Sequence, residues 1–168
     1  MSILGQLLSD MPRQWKLQRT FNFDFLLPDI SGIAGHEISK YCQDCKIGDY
    51  DIAALSTIKA GAFEQKFSGD LKIKEVVATF LKPVNDIVSD YFYAWRTLIV
   101  DKQGFHNVKS IYAKTAYLKL YDRDGSETDT YKMIGIFPTT LPSIDVSYTN
   151  EDIVKFPITF SVDWIERN

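Results

Sequence analysis

Cys42 and Cys45 carry the most obvious chemical potential in this sequence, because a Cys-x-x-Cys pair can serve redox chemistry or hold zinc. The pair stands alone. No second cysteine pair completes a zinc site, and His36 and His106 have no ligand spacing to one another. On a regular strand, residues three apart point to opposite faces, so the pair reads as two free thiols in core or surface positions. Reduced thiols are consistent with synthesis in the cytosol. A second group of ligand types, Asp122-Arg123-Asp124-Gly125-Ser126-Glu127-Thr128-Asp129, carries four acids. A helix–loop–helix calcium loop needs a carboxylate near its twelfth position, and counting from Asp122 that position is Met133. Asp-Gly between two alternating runs is instead a hairpin signal. The sequence has no phosphate-cradling Gly-rich loop, nucleophile elbow or histidine–carboxylate metal spacing. No catalytic, cofactor-binding or metal-ligating residues are therefore expected. Tyr112, Tyr117 and Tyr121 could form an aromatic platform for a sugar, which keeps a carbohydrate-binding β-sandwich module among the readings.

The composition fits a single globular domain over residues 1–168. Of these residues 45% are hydrophobic and 14% aromatic, which is enough apolar material for a sizeable core and favours strands. The net charge is −3 with no basic tract, so nothing here grips nucleic acid; a weakly acidic wall would let phosphate slide past. No apolar run approaches the roughly 20 residues of a bilayer-spanning helix, and no membrane anchor is expected. Residues 1–19 place Ile3, Leu4, Leu7, Leu8, Met11 and Trp15 at helical spacing. They lack a basic n-region and so do not read as a signal peptide. This helix either packs on the body of the domain or forms an arm that docks on a neighbouring subunit.

Alternation then places strands along the chain. Phe21, Phe23 and Phe25 give a first aromatic face that stops before Pro28, a loop occupies 29–35, and 38–47 reads as a second strand. Residues 48–69 are too weakly apolar for a core strand and too long for a structureless loop. They read as a hairpin turning near Lys59–Ala62, which is either a solvated flap or an element completed by other copies of the chain. A strand covering 71–81 follows, and Pro83 ends it. Ile87, Val88, Tyr91, Phe92, Trp95, Leu98 and Ile99 recur at helical spacing and predict a flanking helix over 84–100, capped by Asn85 or Asp86. Residues 111–166 supply the C-terminal strands: 111–121, 131–137, an alternating Ile144, Val146 and Tyr148, and a long last strand. In that last strand Val154, Phe156, Ile158, Phe160, Val162 and Trp164 share one face. Phe92, Trp95, Phe137, Phe156, Phe160 and Trp164 are the expected core. The fold class is mainly β with one helix, a β-sandwich or partly closed barrel flanked by that helix.

Several of these pieces together resemble the tail tube proteins of contractile-tailed bacteriophages. The pieces are Gly135-Ile136-Phe137-Pro138-Thr139, Asn150-Glu151-Asp152-Ile153, Phe156-x-Ile158-Thr159-Phe160 and Asp163-x-Ile165. Upstream, Ser68-Gly69-Asp70, Asn85-Asp86, Phe92-x-x-Trp95 and Phe21-x-Phe23-x-Phe25 follow the same order. The chain departs from the family in having Phe137 where Trp is usual. It also reads Asp49-Tyr50-Asp51-Ile52 where a Leu-Pro pair is common. The resemblance implies a structural virion protein that is not an enzyme and has no cofactor, assembled in the bacterial host cytoplasm. Six copies would form a ring, and rings would stack into a hollow tube. Long hairpins would line that tube as an intersubunit β-barrel through which DNA passes. Sheath, tape-measure and baseplate or tube-initiator proteins are the implied partners. A tube-initiator subunit, or the inner tube of a phage-like injection particle, fits the same pattern. Residues 48–69, with Asp70 just beyond them, would then hold the lumen or intersubunit residues Asp49, Asp51, Lys59, Glu64, Lys66 and Asp70, a mildly acidic set.

Overall fold

The computed structural model of the chain describes residues 22–48, 50–149 and 152–168. The expected arm at 1–19, Phe21 and Asp49 lie outside these residues. The elements in order are β1 (Phe23–Leu26), α1 (Gly35–Ser39), β2 (Cys42–Lys46), β3 (Tyr50–Ala60), β4 (Phe63–Ile73), β5 (Val76–Leu81), α2 (Ile87–Ile99), α3 (Lys109–Tyr112), β6 (Lys114–Tyr121), β7 (Glu127–Pro138), β8 (Lys155–Ser161) and β9 (Trp164–Arg167). The fold is mainly β, and its sheets are not closed into a barrel.

One long strand ties the body together. The start of β7 pairs with β9 (Met133↔Ile165) while its end pairs with β8 (Pro138↔Phe160), so the path β1-β6-β7-β8-β5-β2 passes through β7, with β9 beside it. The change of partner occurs at Gly135. Opposite it, the register with β6 slips by one residue between Lys114↔Ile136 and Thr115↔Ile134. An extra residue in one strand is a β-bulge, which bends and twists the strand. Gly135 takes φ 72°, a conformation that L side chains rarely adopt. A Cβ there would lie 2.7 Å from Asp163 Cγ. Asp163 also donates its backbone N–H to the Ile134 carbonyl (3.1 Å), and its carboxylate pairs with Lys109 (2.6 Å).

The bend folds one half of the sheet over the other and encloses an aromatic core. Phe160 of β8 meets Phe25 of β1 (ring centroids 5.8 Å), Phe92 (6.0 Å) and Trp95 (6.1 Å) of α2. Tyr91, Phe92 and Trp95 are fully buried, so the helix lays its apolar stripe on the sheet as its 3.6-residue period requires. The polar atoms buried with them are partnered: Trp95 Nε1 donates to the Tyr112 carbonyl (2.9 Å) and the Tyr91 hydroxyl to the Pro28 carbonyl (2.6 Å).

Several sequence expectations shift. The helix spans Ile87–Ile99 rather than 84–100, and two short helices join it among the described residues. One of these, α1, replaces the first part of the strand expected over 38–47, and α3 takes Ile111 and Tyr112 from the strand expected over 111–121. The strand expected over 71–81 divides at Lys74-Glu75, with its first residues belonging to β4. Ile144, Val146 and Tyr148 form no strand and stand exposed. The long last strand breaks at Val162-Asp163. Phe156 and Phe160 are fully buried and Phe137 is half-buried, but Trp164 is 46% exposed. The corner resets the alternation, so Ile165 turns inward and Trp164 outward.

Gly135→Ala should therefore cost about 1–3 kcal/mol, the scale of a side chain forced into a sparsely populated backbone conformation. The urea midpoint should fall at an unchanged m-value. An unmoved midpoint would show that the bend tolerates a side chain.

Candidate assembly surface

The hairpin of β3 and β4 stands apart from the rest of the fold. It is a two-stranded sheet of its own, with each strand eleven residues long, so it reaches about 35 Å at roughly 3.3 Å per residue. Ala60↔Phe63 closes a two-residue turn at Gly61-Ala62, and Gly61 takes the positive φ (67°) that such turns require. The ladder places Tyr50↔Ile73, Ile52↔Leu71 and Ile58↔Gln65 on one face, with Phe63 and Phe67. The opposite face carries Asp51↔Lys72, Lys59↔Glu64 and Lys66.

Away from its root, the described side chains of this amphipathic ribbon are covered on neither face. Ile52, Ile58, Phe67 and Leu71 are all exposed, and Phe63 is 80% exposed. Both outer edges lack a strand partner among the described residues. An isolated two-stranded ribbon is at best marginally stable in water, and bare edges template pairing with another chain. Asp51, Lys59, Glu64, Lys66 and Asp70 all stand exposed on this one hairpin. Because β4 runs on to Ile73, Lys72 joins them, and the described charges are three acidic and three basic. At the root, Lys74 pairs with Asp51 (3.1 Å).

The root is clasped to the body. The Tyr50 hydroxyl donates to the Ile165 carbonyl (2.5 Å), and its ring packs against Trp164 (centroids 6.4 Å). The exposed Trp164 thus serves the hairpin rather than the core. Beneath the clasp lies a cavity of about 390 Å³ bounded by Ile47, Tyr50, Leu118, Tyr131, Ile165 and Arg167.

The cysteines lie in β2, where a bulge between Cys42 and Asp44 changes the expected geometry. Cys42 stands opposite Phe80 and Cys45 opposite Ala78, both core residues, so the two thiols share the inner face instead of pointing apart. Both are free and partly buried against the core. Burial, reinforced by the Asp44 carboxylate, pushes the Cys42 thiol up to about 12 and raises Cys45 as well. A thiol held neutral is a poor nucleophile. Of the Asp122–Asp129 segment, residues 122–126 form the β6–β7 turn and the rest opens β7, with Lys119 and Glu127 paired across the two strands (2.9 Å). Among the described residues, no group of three or more His, Cys, Asp or Glu side chains could hold a metal ion. The three tyrosines of the sugar-platform reading divide between two elements. Tyr112 lies in α3 with its ring edge-on to Phe137 (5.2 Å), while Tyr117 and Tyr121 belong to β6.

Two measurements follow. Tyr50→Phe should lower stability in urea by about 1 kcal/mol, the net worth of a hydrogen bond. Tyr93→Phe on the exposed side of α2 should change it by less than about 0.5 kcal/mol. Iodoacetamide at pH 8 should label Cys42 and Cys45 far more slowly in the native than in the urea-unfolded chain. Because the native pKa is raised, the thiols favour folding fully below about pH 9, and that contribution is lost as pH rises from there towards about 12. Equal labelling rates would place the thiols outside the core.

No protein-family model and no curated protein sequence matches the chain. Solved structures do. The chain is similar to a component of the sheath-tube complex of PVC, an extracellular contractile injection system, in its extended state (TM-score 0.66, 15% identity), covering 100% of this chain and 99% of that one. It is similar to the anti-feeding prophage cap, the AFP tube terminating cap (TM-score 0.72, 16% identity, 100% and 99% covered). It is also similar to the PVC sheath/tube terminator in the extended state (TM-score 0.68, 14% identity, 94% and 99% covered). The chain has the fold of these components of contractile injection systems.

Proposed function

We propose that this chain is a non-enzymatic structural subunit of the inner tube of a contractile particle, either a phage tail or a phage-like injection system. The observation that carries this reading is the β3–β4 hairpin. Its two free edges and uncovered apolar face call for a neighbour on each side, and lateral pairing of hairpins around a ring supplies both. A ring of six, as the resemblance implies, removes every bare edge by closing on itself. The apolar face then turns towards protein. The charged face, with Asp51, Lys59, Glu64, Lys66 and Lys72, turns to the water of the channel. A wall of mixed charge with no basic tract neither holds nor strongly repels a passing polyanion, which suits passage of DNA or of a protein cargo. Sheath, tape-measure and baseplate proteins are the partners of this reading, and the assembled particle is its location.

The likeness to the tube terminating cap supports a second reading, in which the chain ends or starts a tube rather than repeating along it. Copy number in the particle separates the two, because a tube subunit is abundant while a cap or initiator is scarce.

Negative-stain electron microscopy across a concentration series tests the proposal. Rings or hollow tubes are the expected result. Ile58→Asp combined with Phe67→Asp should abolish them without changing the thermal midpoint of the isolated subunit, since both side chains are exposed there. A parent chain that stays monomeric at every concentration would sink the tube reading.

A further inference from the structure

The bulge in β2 brings Cys42 and Cys45 together. Gln43 and Asp44 both stand exposed, while the cysteines on either side of them are partly buried. The cysteines face Phe80 and Ala78 of β5, which are next-but-one neighbours on the same face and fully buried. The thiols therefore follow one another along the inner side of the strand, with the spacing of same-face neighbours rather than of residues three apart. A two-residue step along an antiparallel strand advances about 6.8 Å, and less where a bulge adds twist. Disulfides span Cα separations of roughly 4.4–6.8 Å. The Cys42 thiol also leans the right way. It donates to the Asp44 carbonyl (3.3 Å), which belongs to the peptide group joining Asp44 to Cys45. The two sulfurs feel one another: the Cys45 thiol is raised by burial first and by the charge of Cys42 next.

We propose that Cys42 and Cys45 are a disulfide-forming pair, which closes across the bulge by exchange with a low-molecular-weight disulfide. The thiolate of one cysteine attacks a sulfur of the small disulfide, forming a mixed disulfide and releasing one small thiolate. The thiolate of the other cysteine then attacks the protein-bound sulfur and expels the second small thiolate. Two protein thiols lose two protons and two electrons, and one small disulfide takes them up to become two thiols. The neutral product suits the site. A bound metal would need the sulfurs as thiolates, and burial above all, with the Asp44 carboxylate behind it, opposes negative charge on both. A bridge carries no charge. It would also fasten a strand that has β5 as its one strand partner among the described residues. The residues that follow that strand, Ile47 and Gly48, lead to the root of the hairpin. The bridge is thus a local staple on the strand from which the hairpin departs, and the pair closes in the same way whether or not the chain forms tubes.

Equilibration of the full chain in mixtures of glutathione and glutathione disulfide tests the pair. The same end point is approached from the reduced chain and from chain oxidised in urea and then refolded, so slow attack by half-buried thiols does not decide the outcome. Samples are quenched in acid, unfolded and cleaved before Asp44, which parts the two cysteines along the chain. Fragments that stay joined until a reductant is added report the bridge. A single bridge within one chain is the expected product. Its equilibrium constant against glutathione should be at least tenfold larger in the folded than in the urea-unfolded chain, or about 30 mV in potential, because the bulge has already set the two sulfurs side by side. The oxidised chain should accordingly show a higher urea midpoint than the reduced one. Three results would overturn the pair. One is a constant no larger in the folded chain than in the unfolded chain. Another is glutathione held stably on both cysteines of the folded chain. The third is bridging between chains instead of within one.

Discussion

The bend at Gly135 is the constraint on which the rest of the body depends. A straight β7 could pair along one side with either β8 or β9. The bulge lets it pair with both, β9 before the bend and β8 after it. That change of partner brings Phe25 on one half of the sheet against Phe80 and Phe160 on the other. The Asp163 side chain fills the space where a Cβ at position 135 would stand, and Lys109 holds the carboxylate from outside. A backbone conformation, an ion pair and an aromatic core are therefore linked through one residue that has no side chain of its own.

The body and the hairpin obey opposite rules. In the body, the described buried apolar residues converge on a single cluster, and none of its described buried polar side-chain atoms lacks a partner. This is the close-packed, hydrogen-bond-complete interior that offsets the entropy of ordering a chain. The hairpin has the same strand patterning and a good turn, yet Ile73 at its root is the last of its described apolar side chains to meet the core. Only its root is secured, by Tyr50 to Ile165 and by the ring of Trp164. Such a ribbon is only marginally stable by itself, and the tube proposed above would give it neighbours.

The sequence carries the parts of the fold that are set locally. The stripe of Tyr91, Phe92 and Trp95 specifies a helix by period, Asp-Gly at 124–125 specifies a turn, and the small residues around 59–62 specify the hairpin reversal. What escapes a sequence reading is set by register and by partners. The break at Val162-Asp163 preserves the apparent alternation while turning Trp164 outward. The bulge beside Cys42 brings two thiols onto one face although their spacing says otherwise. Ile144, Val146 and Tyr148 are written like a strand, but a strand exists only where another edge receives it. The hairpin is legible as a long weakly apolar segment, but which of its residues share a side follows only from the ladder.

The bare edges of the hairpin also bear on how growth begins. If the ribbon is steady only between neighbours, the first closed ring has to order several ribbons together before any of them gains a full set of contacts. That makes initiation slow and strongly dependent on concentration, whereas adding a copy beside ribbons already in place is comparatively easy. Free subunits in a crowded cell would then remain dispersed until a template appeared. The same unfinished edge that exposes a solitary subunit to wrong pairings would confine polymer growth to the place where a particle is being built.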